Sequence, residues 1–534
     1  MLAFDRSHLI RKTGIVSICR TAGVLSGLIL DAVILASFGL GKQTDAFFVA
    51  LAIPILIDGT LSIQVTQALV PILASLEKES GPNSAWDFLS NVITVWFLVV
   101  SVLTCAAMAV AVYVIPLQVP GLDAEAIHMA SKLNMLLVWL IPLSGLAAML
   151  QGALLSLHHF WLASSTKALT NICIISVVFS LHRSIGIYSL ALGYLGGFAI
   201  QSTALWIALW RRGFRYRWSS SCRDPHLRNT IRMVFYPLTG QALGECRTLI
   251  ENFFASFYAP GVLSALRYAG RIIYALSGVL MGSVVTATTP VVAYYLADKD
   301  REGMKSTVRN GVKLLLFMSV PVCVWLAWTG DSLIGLLFER GQFSKADTEL
   351  TSSLMALMSP YILFSRAISI TQTPFYAVRD TKTLVIGMIL SFLSYLLLTP
   401  PLLYEFGVYG FPLAMVASTA LGALIMLLLL RRSFGAMDWG RLRTFSVQLI
   451  GATALASLGL LLGQQSWMHF AMSRWSQKLL AVGVPSLLGI IGFFAGALIF
   501  RLIDPAWLPG LLPFGLGKHY ARNSQAAESF PKRG

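Results

Sequence analysis

The chain has 534 residues, 56% of them hydrophobic and only 12% charged, with a formal net charge of +16. A soluble domain is about half apolar and a quarter charged, so this composition excludes one, and continuous apolar runs exclude the alternating strands of a membrane β-barrel. The positive balance fits basic loops on one side of a membrane, and no nucleic-acid partner is expected.

The fold class is an all-α polytopic membrane protein. At about 20 residues per crossing, apolar runs and loop signals predict about fourteen spans, at 13–40, 45–76, 88–115, 129–156, 163–182, 187–210, 229–257, 263–297, 308–329, 350–377, 384–403, 407–430, 444–463 and 479–500. The opening MLAFDRSHLI lacks the apolar core of a cleavable signal, so the first span is expected to be retained. Pro54, Pro142, Pro237 and Pro374 fall where kinks are tolerated. The stretches 211–228, 298–309 and 431–443, the N-terminus and the tail after Phe500 are rich in Lys and Arg, whereas the intervening loops carry almost none. That alternation places both termini in the cytoplasm.

The segment starting at Thr44 resembles the one starting at Leu263, with Pro71 falling on Pro290 and Ala74 on Ala293 at a spacing of about 219 residues. Such an offset keeps orientation and gives a parallel repeat of two six-helix lobes. The predicted organisation is an N-terminal lobe at 1–210, a basic linker at 211–228, a second lobe at 229–432, two additional spans within 444–500 and a cytoplasmic tail at 501–534.

Charges inside the spans are the candidate site. Arg20, Asp31, Glu245, Arg247, Glu251, Arg267 and Arg271 lie where a lipid-facing charge costs a few kcal/mol or more, so they face a cavity or each other. Arg267 and Arg271, spaced i, i+4, present two guanidiniums on one helix face, and a planar fork suits a pyrophosphate. Arg20 is a third donor for the same group, and Glu245 joins it as a cavity candidate. The alternative is that these arginines pair with Asp31, Glu245 or Glu251 and only hold helices together, as Arg247 and Glu251 can do at i, i+4. Asp45 reads as a capping residue at the start of the second span, Asp31, Asp58 or Glu251 as a proton or cation ligand for ion coupling, Arg366 as structural, and His158 and His159 as surface groups.

Six scattered cysteines form no disulfide or zinc pattern. No GxxxxGK[ST] loop and no catalytic or metal-ligand spacing stands out, so no cofactor, metal or enzymatic activity is expected. Net movement is then expected to draw on membrane potential, an ion gradient or consumption of the product.

FGLGKQTDAFFVALAIP (38–54), QALVPILASLEKE (67–79), FFASFYAPGVLSALRYAGRI (253–272), RGQFSKADTELT (340–351) and PFYAVRDTKTLV (374–385) resemble the MurJ (MviN) lipid II flippases of the multidrug/oligosaccharidyl-lipid/polysaccharide exporter superfamily. The resemblance implies two lobes in a V around a central cavity and a C-terminal helix pair at a groove for a lipid tail. It implies transport of a polyprenyl-pyrophosphate-linked saccharide across the bacterial cytoplasmic membrane by alternating access. The cargo would be lipid II or a related cell-surface or exopolysaccharide unit. A cation-coupled multidrug exporter of the same superfamily is the alternative. Expected partners are the lipid-linked oligosaccharide, membrane lipids and envelope glycan-synthesis proteins, with the chain acting as a monomer. Arg20, Asp31 and Arg271 match the family's first and eighth spans, and the TDAFF match gives Asp45 an ion-coupling or conformational role. Leu30 and Asp58 stand where the family carries basic residues.

Overall fold

The computed structural model describes residues 6–157, 159–219, 242–436, 440–466 and 474–502. Among these, every regular element is a helix. The first half contains α1 (Arg6–Phe38), α2 (Lys42–Ser80), α3 (Pro82–Gln118), α4 (Ala124–Leu137), α5 (Leu140–Ser156), α6 (Phe160–Ile185) and α7 (Tyr188–Trp210). The second contains α8 (242–255), α9 (Val262–Ala297), α10 (Arg301–Leu337), α11 (Lys345–Met358), α12 (Tyr361–Ala377), α13 (Thr381–Phe406) and α14 (Gly410–Phe434), followed by α15 (Gly440–Ser466) and α16 (Arg474–Ile499). Short polar caps start several of them: Asp123, Asp300 and Asp380 accept from the third residue onward, and Ser344 with Asp347 forms a capping box.

Eleven described stretches are long and apolar enough to cross a membrane. One of them, Thr381–Phe434, folds back through the 3-10 turn Gly407–Tyr409 and holds two crossings, α13 and α14. With the 36-residue α9, also long enough to cross, the described residues account for thirteen of the expected spans, and the 14 described residues of α8 fall within the remaining one.

Two spans are broken, and they are counterparts. In the first half, the 14-residue α4 and the 17-residue α5 form one crossing, and in the second the 14-residue α11 and the 17-residue α12 form another. The second break falls at Ser359–Pro360, where both residues keep helical dihedrals but the ring removes an N–H from the helix ladder. In the first, Pro142 sits inside the opening turn of α5, where its missing N–H costs nothing. The match continues through α3 and α10, both 37 residues long, and α6 and α13, both 26. An internal repeat, faint in residue identity, is therefore plain in element lengths.

Packing follows the halves. Helices α1 to α7 pack among themselves, α9 to α14 among themselves, and the main contact between the two sets is α2 against α9. One apolar cluster, including Leu35, Phe47, Tyr268 and Phe338, joins both halves near the ends remote from the basic loops, here called the distal ends. Toward the basic loops the first half has its own cluster, around Leu69, Phe88, Leu150 and Phe214. Because lipid is as apolar as leucine, such cores are held by close packing more than by escape from water. The pair α15 and α16 shows this: a Cβ on Gly459 would lie 2.3 Å from the Leu488 carbonyl oxygen, so only glycine permits the approach. That pair docks on α10, where Trp325 Nε1 donates to Ser486 Oγ (2.8 Å) and Lys478 reaches Glu339 Oε1 (3.2 Å).

Candidate functional site

The intramembrane charges collect where the halves meet. Arg271 of α9 donates through Nη1 to Asp31 Oδ1 of α1, an ion pair that ties the second half to the first. The partners are unequally covered: the Asp31 side chain is 4% exposed and that of Arg271 44%. The aspartate is sealed in helix packing while the guanidinium keeps an open face. That face lines a cavity of about 450 Å³, bounded by Phe48, Asp58 and Tyr194 from the first half and by Arg267, Arg271 and Tyr274 from the second.

Arg267 borders the same cavity, but its fork is largely occupied. Nη1 reaches Glu251 Oε2 (3.0 Å), and Nη2 donates to the Thr248 carbonyl (3.1 Å) and to Asn252 Oδ1 (2.7 Å). The other Glu251 oxygen accepts from Arg247 Nε (3.3 Å) and the Tyr395 hydroxyl (3.3 Å), and the Arg247 guanidinium stacks 4.0 Å from the Tyr395 ring centre. The structure thus brings Arg247, Glu251 and Arg267 together as a mostly buried cluster of two cations and one anion. Glu251→Gln keeps an acceptor but removes the only negative charge in it, so a loss of about 1–3 kcal/mol in stability is expected. Thermal unfolding in detergent measures this, and an unchanged midpoint would show a cluster already screened by water.

Asp58 accepts from Ser62 Oγ on its own helix and faces the cavity. Glu245 lies against α2, its Oε1 3.0 Å from where a Cβ on Gly59 would sit. Arg20 is on α1, but its side chain lies outside the described residues, as do His158 and Pro237. Leu30 is packed in the core at 1% exposure, so that position of α1 faces protein instead of the cavity.

Asp45 has a different duty from capping its own helix. Its carboxylate accepts from the backbone N–H groups of Gly261 (2.6 Å) and Ser264 (2.8 Å), so it caps α9, in the other half. Residues 45 and 264 differ by 219 positions, the repeat spacing. Equivalent positions of two repeats can touch only on the axis relating them, so this contact marks the pseudo-twofold. Around it the Gln342 N–H donates to the Ala36 carbonyl (3.0 Å), and Gly121 N–H to Ser256 Oγ (3.1 Å). Gly341 has φ +62°, and a Cβ there would lie 2.2 Å from the Ala36 oxygen, so both its turn and its contact require glycine. Beside them Lys42 bonds Asp123; this bond and the Ala126 N–H hold the Asp123 carboxyl below its ordinary range, so it stays ionised in mild acid. The cavity is closed at its distal end.

Two further cations stand near the site, Lys167, which the sequence does not single out, and Arg366. Lys167 of α6 packs its methylenes against Gly23 of α1 and lies within the electrostatic reach of Asp31. Arg366, expected to be structural, donates through Nε to Ser277 Oγ of α9 (2.7 Å). Among the described residues neither makes an ion pair. Each lies nearer the basic loops than the Asp31–Arg271 pair: Gly23 is roughly 12 Å before Asp31 along α1, and Ser277 roughly 9 Å beyond Arg271 along α9. A lone lysine in FWLASSTKALT resembles an interfacial anchor in sequence, and only the α1–α6 packing shows where it points.

Comparison with known proteins adds the lineage. A family model described as lipid II flippase MurJ matches residues 34–480. A probable lipid II flippase MurJ from Bdellovibrio bacteriovorus is 22% identical over 510 residues, covering 93% of this chain and 95% of that one. The corresponding protein of Vibrio cholerae is 24% identical, covering 91% and 94%. Among solved structures, a lipid II flippase MurJ in an inward closed conformation matches with a TM-score of 0.74 at 22% identity, covering 91% of this chain and 98% of that chain. An inward-facing multidrug resistance MATE family transporter matches with a TM-score of 0.64 at 15% identity, covering 76% and 94%, and so shares the fold.

Proposed function

Because the chain belongs to the MurJ lipid II flippase family, we propose that it carries a polyprenyl-pyrophosphate-linked saccharide across the bacterial cytoplasmic membrane, with lipid II as its cargo. The observation that supports this best is the cavity between the halves, closed distally and lined by a guanidinium whose outer face is open. A pyrophosphate needs bidentate, permanently charged donors, and arginine supplies them. A cavity for small organic cations would instead be dominated by unengaged carboxylates, whereas Asp31 and Glu251 are both held by arginines and Asp58, bonded to Ser62, shares the lining with Arg267 and Arg271.

With the basic loops and both termini in the cytoplasm, the head group enters from the proximal end. It meets Lys167 and Arg366 first and Arg271 deeper. Two lobes, one from each repeat, then rock about the α2–α9 contact, opening the distal end while the lipid tail stays in the bilayer. Lys167→Gln and Arg366→Gln are each expected to weaken capture about five- to tenfold, raising the half-saturating cargo concentration with little change in maximal rate. Flipping of labelled lipid-linked saccharide in proteoliposomes measures this, and unchanged saturation in both would remove these cations from the path.

The decisive test is complementation of a bacterium depleted of its own lipid II flippase. Restored growth is expected. No growth, with normal membrane insertion, would overturn lipid II as the cargo.

A further inference from the structure

A second concave site lies away from the cavity, at the basic-loop end of the first half. It is a groove of about 510 Å³ between the end of α5, the start of α6 and the end of α7. Its floor is apolar, built from Leu154, Leu162 and Ile207, and its rim carries His159, Arg211 and Arg212. Among the described residues lining it there is no carboxylate. Arg212 Nη2 donates to His159 Nδ1 (3.1 Å), which fixes the imidazole as an acceptor and pins the guanidinium over the groove. Arg211 is exposed beside it. A little further on, Arg215 stacks 4.8 Å from the Trp210 ring centre, whereas Arg217 is paired with Asp87. Among the described residues, Arg211 and Arg212 have no anionic partner, while Arg217 has one.

The flanks of the groove are apolar and open. Trp161 is 56% exposed, and Ile207 and Trp210 are exposed as well. Aromatic side chains at such a level mark the depth of lipid head groups. An apolar floor below two guanidiniums that have no anionic partner among the described residues has the amphipathic order of a phospholipid: phosphate above, acyl chain below.

We propose that this groove is a binding site for an anionic glycerophospholipid of the leaflet facing the basic loops. The phosphodiester sits on Arg211 and Arg212, and one acyl chain lies on Trp161, Leu162 and Ile207. Basic pockets between helices on this side suit anionic head groups, each cation near the surface adding an attraction that zwitterionic lipids do not receive. The site is independent of the cargo cavity, and its occupancy does not depend on what the chain transports.

Native mass spectrometry of the full chain in detergent, titrated with phosphatidylglycerol or phosphatidylethanolamine, tests it. The unaltered chain is expected to retain phosphatidylglycerol preferentially. Arg211→Gln with Arg212→Gln should lower its apparent affinity at least about tenfold and leave phosphatidylethanolamine unchanged. Arg211→Lys with Arg212→Lys should keep most of it. Ile207→Trp, which fills the floor and leaves the charges alone, should lower retention similarly. Undiminished retention in the double glutamine variant would overturn the site. Retention surviving Ile207→Trp would reduce it to loose surface attraction. Displacement of phosphatidylglycerol by a lipid-linked pyrophosphate saccharide, lost in the same double variant, would assign the groove to the cargo instead. Lipid retention is read without any flipping measurement, so failure here leaves the transport reading standing.

Discussion

Arg271→Ala is expected to abolish flipping, the largest single effect of any substitution in the cavity. Two losses coincide in it. The cargo loses its deepest bidentate donor, about 1.5–3 kcal/mol for a charge-assisted hydrogen bond, or ten- to hundred-fold in affinity. Asp31, which is nearly inaccessible, is also left without its counter-charge, and breaking a buried pair from one side costs about 3–5 kcal/mol. Alanine alone would confound these effects, so the pair must be neutralised together. Asp31→Asn with Arg271→Gln leaves no orphaned charge and should keep thermal stability within about 1 kcal/mol of the unaltered chain. If Arg271 grips the cargo, the double variant stays inactive although folded, and Arg271→Lys recovers only part of the rate because a point charge lacks the fork. Flipping at the normal rate in the double variant would sink the idea and leave a helix clamp.

How much of this was legible in the chain differs by level. Span positions were, because a run of about 20 apolar residues has one structural outcome in a bilayer. The repeat was faint in identity yet unmistakable in paired lengths, since the 14- and 17-residue pieces of both broken spans are set by geometry that many apolar residues satisfy. Partnership among the charges was not legible. Arg267 and Arg271 share a helix face in any reading, but one is consumed by Glu251, Thr248 and Asn252 and the other opens to the cavity. That difference depends on where α8 and α1 lie, which no spacing on α9 encodes. Lys167 was missed for the same reason: its neighbour Gly23 is 144 residues away on another helix. The position of Asp45 predicts a cap, which is correct chemistry, but the helix it caps belongs to the other half.

That cap is the second large effect. Asp45 supplies a buried carboxylate to two N–H groups at the start of α9, where the helix dipole also favours a negative charge. The bonds cross between halves, so they exist only while the distal end is closed. Removing them acts on a conformational balance as well as on stability. Asp45→Ala should forfeit about 2–3 kcal/mol of the closed state, a thirty- to hundred-fold shift toward distal opening. Asp45→Asn keeps one acceptor and should fall between. Spin labels at Glu125 and Ala346, exposed positions near the distal end in opposite halves, report the separation directly. A short distance is expected in the unaltered chain and a second, longer population in Asp45→Ala, with flipping slowed because the closed state can no longer be held for loading. An unchanged distance distribution, whatever the activity, would mean that Asp45 merely starts a helix and that the latch between the halves is made by the backbone contacts at Ala36 and Gln342.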